Sequence, residues 1–224
     1  MLALTKSGSL CTATAADLAR LRAEFDQHHL LHLPDFLEPK LLQLIQATLA
    51  RTDFQSRDQA TGSELRPVDT TPYYSLELLL NSPHLFHIIE QITGCASLAC
   101  FNGRIYRRLQ SSEHHQRWHT DVAGDGRVVA VSINLSTSVY GGGVLQIRNV
   151  GAQHILSEAH NTGFGDALIF RVDPSLEHRI TPVEGDVPKT AMAGWFKTQP
   201  EARSLFARGV RPSAIMPAGQ TDGA

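Results

Sequence analysis

The chain has 224 residues, of which 42% are hydrophobic and 19% are charged. This length and composition are typical of one compact globular domain rather than of a disordered or fibrous chain. The 20 Lys and Arg residues against 22 Asp and Glu residues give a formal charge of −2. Such a balance argues against a nucleic-acid partner and against electrostatic binding to a membrane surface.

The three cysteines, Cys11, Cys95 and Cys100, are odd in number and form no C-x-x-C pair. This pattern argues against a disulfide framework and a thiolate zinc site, and it is typical of free thiols in a reducing compartment. Residues 1–20 lack the apolar stretch of a secretory signal, and no window reaches the roughly 18 apolar residues of a membrane span. We therefore expect a cytoplasmic protein.

The first part of the chain predicts three helices and one strand. Residues 14–29 have the spacing of an amphipathic helix, with Thr14 as its N-cap. The short apolar run at 30–37 predicts a strand, whereas 38–51 and 81–94 predict two further helices with Pro in the first turn. Between them, residues 52–74 are polar and interrupted by Gly and Pro. A connection of this length in a compact domain predicts a lid loop.

From about residue 97, short β-branched and aromatic runs alternate with Gly, Pro, Asp and Asn. Seven such runs in about a hundred residues predict an antiparallel jelly roll with the helices packed outside it. The fold class is thus mainly β with flanking N-terminal helices (α+β), built on a double-stranded β-helix barrel. We expect a single domain, 1–224. Its parts are a mostly helical support (1–96), a jelly-roll core (97–199) and a C-terminal tail (200–224).

The segment HHQRWHTDVAGDGR, residues 114–127, precedes one of these runs. Because alternate residues of an extended strand point to one face, His119 and Asp121 can present an imidazole and a carboxylate to the same point. H-x-D alone is a weak signal, but His178 offers a third ligand at the start of HRITPV. Two histidines and one carboxylate make up the facial triad that binds non-haem Fe(II) and leaves coordination positions open. His114 and His115 are interpreted as polar loop residues.

Taken together, these motifs make residues 101–198 resemble the Fe(II)/2-oxoglutarate-dependent dioxygenases, in particular the prolyl-hydroxylase-like and phytanoyl-hydroxylase-like members. The features that carry the resemblance, in chain order, are Tyr106, WHTD (118–121), GGGVLQI (141–147), GDALIF (165–170), HRITPV (178–183) and KTAMAGWF (189–196). Several features in the right order are far more specific than any one of them.

The resemblance implies that His119, Asp121 and His178 bind Fe(II), with 2-oxoglutarate and O2 as cosubstrates. It also implies hydroxylation of an unactivated C–H bond with release of succinate and CO2. Related halogenating enzymes have lost the carboxylate ligand. Because Asp121 is present, hydroxylation, or a related desaturation or ring closure, is preferred.

For the cosubstrate, the resemblance places Lys189 where these enzymes have the Arg or Lys that binds the distal carboxylate. The commoner pattern is Arg followed two residues later by Ser or Thr, so this chain departs from it. Because lysine is a point charge rather than a planar fork, Thr190 or Tyr106 would supply further hydrogen bonds. Asn134 alternates with apolar residues, so it is expected to face the barrel and the cosubstrate. Arg148 and Arg179 are the alternatives to Lys189 as the cation that binds the distal carboxylate.

Three other functions stay open on the sequence. A zinc hydrolase could use the same ligands, although the chain has no H-E-x-x-H motif. A non-catalytic metal-binding β-barrel is the second alternative, and a hydroxylase of protein or peptide side chains is the third. The near-neutral charge and short length favour a small-molecule substrate, such as a free amino acid or a natural-product intermediate.

Overall fold

The structure, a computed structural model, describes residues 1–59, 62–110, 116–161 and 163–200. The expected tail lies outside the described residues except for Pro200. The helices are α1 Ala15–His28, α2 Pro39–Leu49, α3 Thr71–Leu80 and α4 Pro83–Thr93. The first strands are β1 Leu2–Thr5, β2 Gly8–Cys11, β3 Leu30–Leu33, β4 Phe54–Gln59 and β5 Gly62–Pro67. The later strands are β6 Cys100–Arg108, β7 Gln116–His119, β8 Arg127–Asn134, β9 Gly141–Gly142, β10 Leu145–Asn149, β11 Ser157–Ala159, β12 Ala167–Arg171, β13 Leu176–Ile180, β14 Val183–Glu184 and β15 Lys189–Lys197.

Three helices begin and end at the signals read from the sequence. The Thr14 hydroxyl accepts a hydrogen bond from the Asp17 backbone, and the Asp17 carboxylate accepts one from the Thr14 backbone, which forms a capping box. Pro39 and Pro83 occupy the first turns of α2 and α4. Gly94 ends α4 in the left-handed conformation, with φ of 60°. These three predicted helices are confirmed.

Two antiparallel sheets form the centre of the molecule. The larger has the order β3-β12-β8-β15-β6-β5-β4, and the smaller has the order β11-β10-β13-β7. Side chains of both sheets meet in one buried cluster, which includes Leu145, Ile147, Leu168 and Ile180. The sheets therefore pack face to face, as in a β-sandwich or jelly roll. The predicted mainly β architecture is confirmed.

The helices cover the other face of the larger sheet. Along β8, Val129, Val131 and Ile133 belong to the apolar cluster that α1 to α4 share with this sheet. Their neighbours on the strand, Ala130 among them, point instead between the two sheets. Because both faces of β8 are buried, its sequence is an almost continuous apolar run. The alternate residues of β8 that face away from the helices therefore point into the space between the two sheets.

The N-terminal part contains more β structure than the sequence predicted. Residues 52–74 are not a lid loop, since β4 and β5 pair as an antiparallel hairpin and α3 begins at Thr71. The β1–β2 hairpin was likewise not predicted. The physical reason is clearest at Glu64, which is 1% exposed because its carboxylate pairs with Arg104 and Arg66. A charged residue buried by a distant partner reads as a surface residue in the sequence.

Among the described residues, no helix is both long enough and apolar enough to cross a membrane. The three cysteines are free thiols, and Cys100 is buried with its thiol 3.2 Å from the carbonyl oxygen of Gln199. Burial raises the pKa of the Cys95 thiol, which keeps this thiol protonated. The free state of the three thiols agrees with the odd, unpaired cysteine pattern of the sequence.

Candidate metal and cosubstrate site

The three predicted metal ligands converge at the inner face of the smaller sheet. Strands β7 and β13 are neighbours, and their register places His119 directly opposite His178. Asp121 follows two residues after His119, and its carboxylate oxygens lie 3.5 Å from Nε2 of each histidine. One ligand atom from each residue lies within 4.8 Å of the other two. Two imidazoles and one carboxylate at this separation can share one divalent cation.

Hydrogen bonds and burial set the protonation of the two imidazoles. Nδ1 of His119 lies 2.8 Å from the carbonyl oxygen of Arg117. A carbonyl only accepts, so Nδ1 carries the hydrogen, and Nε2 is the acceptor that faces the side-chain amide nitrogen of Gln116 at 2.9 Å. Burial lowers the pKa of His178 to about 4, against the opposing charge of Asp121. The His178 ring can therefore act as a neutral nitrogen ligand near neutral pH.

Trp195 holds the carboxylate of Asp121. Its indole N–H donates a hydrogen bond of 2.6 Å to Oδ2 of Asp121. Burial alone would raise the pKa of Asp121, but its contacts with His119, His178 and the Trp195 indole together lower it to about 2. The carboxylate is thus ionised, and one of its oxygens is fixed by the indole. This role of Trp195 was not predicted from the sequence.

The segment after Asp121 is fastened to the end of β15. The Asp125 carboxylate accepts a hydrogen bond of 2.8 Å from the buried ammonium of Lys197 and lies 3.1 Å from Nε of Arg127. The Arg127 guanidinium in turn lies 3.9 Å from the ring centroid of Trp195, which is a cation–π distance. These contacts fix the turn from which Asp121 projects.

Lys189 lies at the opposite end of β15 and is 2% exposed. Its ammonium donates a hydrogen bond of 2.8 Å to the carbonyl oxygen of Gly143 and lies 5.5 Å from the ring centroid of Tyr140. Burial and the neighbouring charge of Arg108 lower the pKa of Lys189 to about 7. Gly143 has φ of 61°, and a Cβ there would lie 3.0 Å from the Lys189 side chain. The GGGVLQI motif thus provides the close wall beside this lysine.

Strand β6 adds two polar side chains to the same interior. Its register with β15 pairs Arg108 with Lys189 and Tyr106 with Ala191, and paired residues share a face. Tyr106 is 3% exposed, and burial raises the pKa of its phenol, so it is a neutral donor. Arg108 is 4% exposed, and among the described residues its Nε and Nη1 atoms have no hydrogen-bond partner. Sequence reasoning missed Arg108, although it stands two residues from Tyr106 on the same face.

The structure does not bring the side chains of Thr190 and Asn134 together with Lys189, Tyr106 and Arg108 as free polar groups. Thr190 follows the inward-facing Lys189, so it points to the other face of the sheet, where its hydroxyl accepts a hydrogen bond of 3.0 Å from Arg107. Asn134 faces the interior, but its amide donates to the Gly163 carbonyl at 2.9 Å and accepts from the backbone of the nearby loop. Both side chains are already used to tie strands and loops together.

The alternative cations also lie elsewhere. Arg148 and Arg179 are on the outer face of the smaller sheet, 3.9 Å and 4.7 Å from the ring centroid of Trp118. Arg148 is paired there with Glu177. They therefore cannot replace Lys189 as carboxylate partners inside the fold. His114 and His115 lie outside the described residues.

One cavity between the sheets is lined by some of the residues of the candidate site, but not by Lys189 or His119. Asp121 and His178 line it together with Tyr106 and Arg108, and Phe170 contributes an apolar wall. The cavity thus contains an ionised carboxylate and a neutral imidazole that can bind a cation. It also contains Arg108, whose Nε and Nη1 atoms have no hydrogen-bond partner in the described part of the chain. A ligand that chelates a metal at one end and carries a negative charge at the other fits this distribution of charge.

Residues 104–197 match the family model of the 2OG-Fe(II) oxygenase superfamily. A search of curated protein sequences gave no significant match. Solved structures similar to this chain include a Pseudomonas putida prolyl-4-hydroxylase, with a TM-score of 0.60, 17% identity, and coverage of 80% of this chain and 98% of that one. The epimerase SnoN from nogalamycin biosynthesis gives a TM-score of 0.60 at 13% identity, covering 94% of this chain and 95% of that one.

A Trichoplax adhaerens prolyl hydroxylase, solved with a peptide of a hypoxia inducible factor, gives a TM-score of 0.59 at 13% identity. The alignment covers 90% of this chain and 99% of the hydroxylase chain. At such identities the likeness establishes the shared fold, which agrees with the jelly roll predicted from the sequence. The matched segment contains Tyr106 and Arg108, the three converging residues and Lys189. Over residues 104–197, which include the converging His119, Asp121 and His178, the chain is similar to the 2OG-Fe(II) oxygenase superfamily.

Proposed function

We propose that the protein hydroxylates an unactivated C–H bond of a small molecule, using Fe(II), 2-oxoglutarate and O2 and releasing succinate and CO2. His119, Asp121 and His178 hold the iron, and Lys189 with Tyr106 receives the cosubstrate. The observation that carries the proposal is the convergence of three ligand atoms within 4.8 Å on a cavity that also contains a buried cation.

The donor set fits Fe(II). Two imidazole nitrogens and one carboxylate suit non-haem Fe(II) and leave positions free for the cosubstrate and O2, and the bound iron supplies the oxygen activation. The protein's own part is to fix these donors. The Arg117 carbonyl sets the tautomer of His119, and Trp195 orients Asp121. Since Asp121 occupies its position, the site favours hydroxylation, desaturation or ring closure over halogenation.

The position of the site between the two sheets supports a small substrate. The cavity lies between the two sheets, and its wall includes Phe170 and Ile180. Strand β5 contributes Glu64, which bonds Arg104 at 2.6 Å on the cavity wall and thereby brings the β4–β5 hairpin close to the site. A free amino acid or a natural-product intermediate fits a site between two sheets better than an extended peptide does. Hydroxylation of a protein or peptide side chain is the alternative that the substrate screen tests.

The first experiment is anaerobic reconstitution with Fe(II) and 2-oxoglutarate. We expect the weak visible charge-transfer band of the chelate in the wild-type protein and its loss in His178→Ala. A His154→Ala variant, changed at a histidine outside the site, is the matched control and should keep the band. Absence of the band in folded wild-type protein would contradict the proposal, as would zinc-dependent hydrolysis without succinate.

A succinate-release screen then addresses the substrate. Free amino acids and small metabolites form one panel, and proline-containing peptides form the other. Stimulation of succinate release by a member of the first panel supports the small-molecule assignment. Stimulation by peptides alone would replace it with a peptide-hydroxylase function.

A further inference from the structure

Arg108 is a buried cation whose charge is not compensated within the described structure. It is 4% exposed, and none of the ion pairs among the described residues includes it. Its Nε and Nη1 atoms have no hydrogen-bond partner there, and its closest aromatic contact is the Tyr106 ring, 5.0 Å away. Burying a guanidinium in this way is costly unless an anion pairs with it. The protein therefore holds a place for a negative charge beside Arg108.

The strand register shows where this anion would lie. Arg108 and Lys189 are directly paired on β6 and β15, so both cations face the space between the sheets. Lys189 already donates to the Gly143 carbonyl, whereas Arg108 lines the cavity that contains Asp121 and His178. A ligand that extends inward from the metal ligands therefore meets the guanidinium.

Other acidic groups of this region are already engaged. Glu64, the buried carboxylate next along the sheet, is bonded to Arg104 at 2.6 Å and to Arg66 at 3.0 Å. Asp121 is directed to the two histidines and Trp195. Neither carboxylate is therefore available to neutralise Arg108, and no ion pair among the described residues includes this guanidinium.

We propose that Arg108 is a positioning residue for 2-oxoglutarate, and that its guanidinium binds the distal carboxylate together with the Lys189 ammonium. This inference rests on the proposed function. It differs from the assignment by family resemblance, which gives the carboxylate to Lys189. A carboxylate has two oxygens and can accept hydrogen bonds from two cations at once. Such a paired site would discriminate for the five-carbon dicarboxylate, because a 2-oxo acid without the distal carboxylate leaves both cations unpaired.

The test is the dissociation constant of 2-oxoglutarate, measured from the charge-transfer band of anaerobic Fe(II)-loaded protein. Arg108→Gln should weaken 2-oxoglutarate binding by on the order of 10- to 100-fold, the range expected for hydrogen bonds to charged groups. Arg107→Gln is the matched control, since Arg107 is the next arginine on β6 and bonds Thr190 on the opposite face. It should bind 2-oxoglutarate as the wild type does. Arg108→Lys, which keeps a charge, should recover part of the affinity.

Binding of pyruvate distinguishes an effect of Arg108 on the distal carboxylate from an effect on the metal-chelating end of the ligand. It has the same 2-oxo acid group but no second carboxylate, so its dissociation constant should be the same in wild type and Arg108→Gln. An equal weakening of pyruvate and 2-oxoglutarate would overturn the inference, because Arg108 would then act on the metal end or on folding. Wild-type affinity for 2-oxoglutarate in Arg108→Gln would overturn it too.

Ligand-free stability gives a readout independent of iron. Removing an uncompensated buried charge should leave the thermal midpoint of Arg108→Gln unchanged or raise it. Failure of this variant to fold would show that Arg108 is structural and would also overturn the inference. A wild-type protein without any charge-transfer band contradicts the proposed function instead, so the two failures are distinguishable.

Discussion

Replacing Trp195 by Phe should weaken metal binding while leaving the fold intact. The substitution removes one hydrogen bond, the 2.6 Å bond from the indole to Oδ2 of Asp121, and keeps an aromatic ring over which Arg127 can still lie. A hydrogen bond to a charged acceptor contributes roughly 1.5–3 kcal/mol. The Asp121 side chain is only 11% exposed, so water replaces the lost donor poorly.

A change of that size corresponds to roughly a 10- to 100-fold loss of affinity, the range seen when a partner that orients a metal ligand is removed. The affinity is measured for Zn(II) or Co(II) by competition with a fluorescent chelator, which needs no turnover. Trp118→Phe is the matched control, since Trp118 neighbours His119 in sequence but packs on Arg148 and Arg179 at the outer face. Equal metal affinities for the two variants would refute the orienting role of Trp195.

Three other variants test the remaining contacts. Lys189 has a pKa of about 7 in the fold, so it is charged below that pH and neutral above it. Binding of 2-oxoglutarate should therefore weaken as the pH rises from 7 to 9. A charge-transfer titration of Lys189→Met should lack this pH dependence. Glu64→Ala leaves Arg104 without its buried carboxylate and should lower the free energy of unfolding in urea by roughly 3 kcal/mol, whereas the exposed Glu24→Ala should change it little. Phe196→Ala removes a fully buried ring and should cost about 3–5 kcal/mol, while the folded protein keeps its charge-transfer band; loss of that band in folded protein would contradict the separation of the two faces of β15.

Local signals predicted the parts of the fold that depend on near neighbours. The Thr14 capping box and the Gly94 terminus each involve residues a few positions apart, so their outcome is readable from the sequence. The hairpin at 54–67 depends instead on Glu64 meeting Arg104, 40 positions away. A long-range ion pair of this kind leaves no periodic pattern, and the segment therefore resembled a loop.

The candidate site also has a part that the sequence predicted and a part that it did not. His119, Asp121 and His178 were predicted because their residue types, their order in the chain and the resemblance to a known family pointed to them together, and the structure brings them together. The proposed cosubstrate residues depend on strand register, which one sequence does not give. Register places Thr190 on the face of the sheet that points away from the cavity. It places Arg108, which was not predicted, opposite Lys189 and in the cavity wall.

The attachment of the β4–β5 hairpin has a consequence for the protein's dynamics. Strand β5 is joined to β6 by one register pair, Leu65 with Arg107, whereas β6 is joined to β15 along its full length. The hairpin can therefore detach in a local opening that leaves the central strands intact. We expect its backbone amides to exchange with deuterium well before those of β6 and β15. Because Glu64 links the hairpin to the cavity wall, a bound substrate should slow that exchange, so hydrogen exchange could report on substrate binding before the reaction product is known.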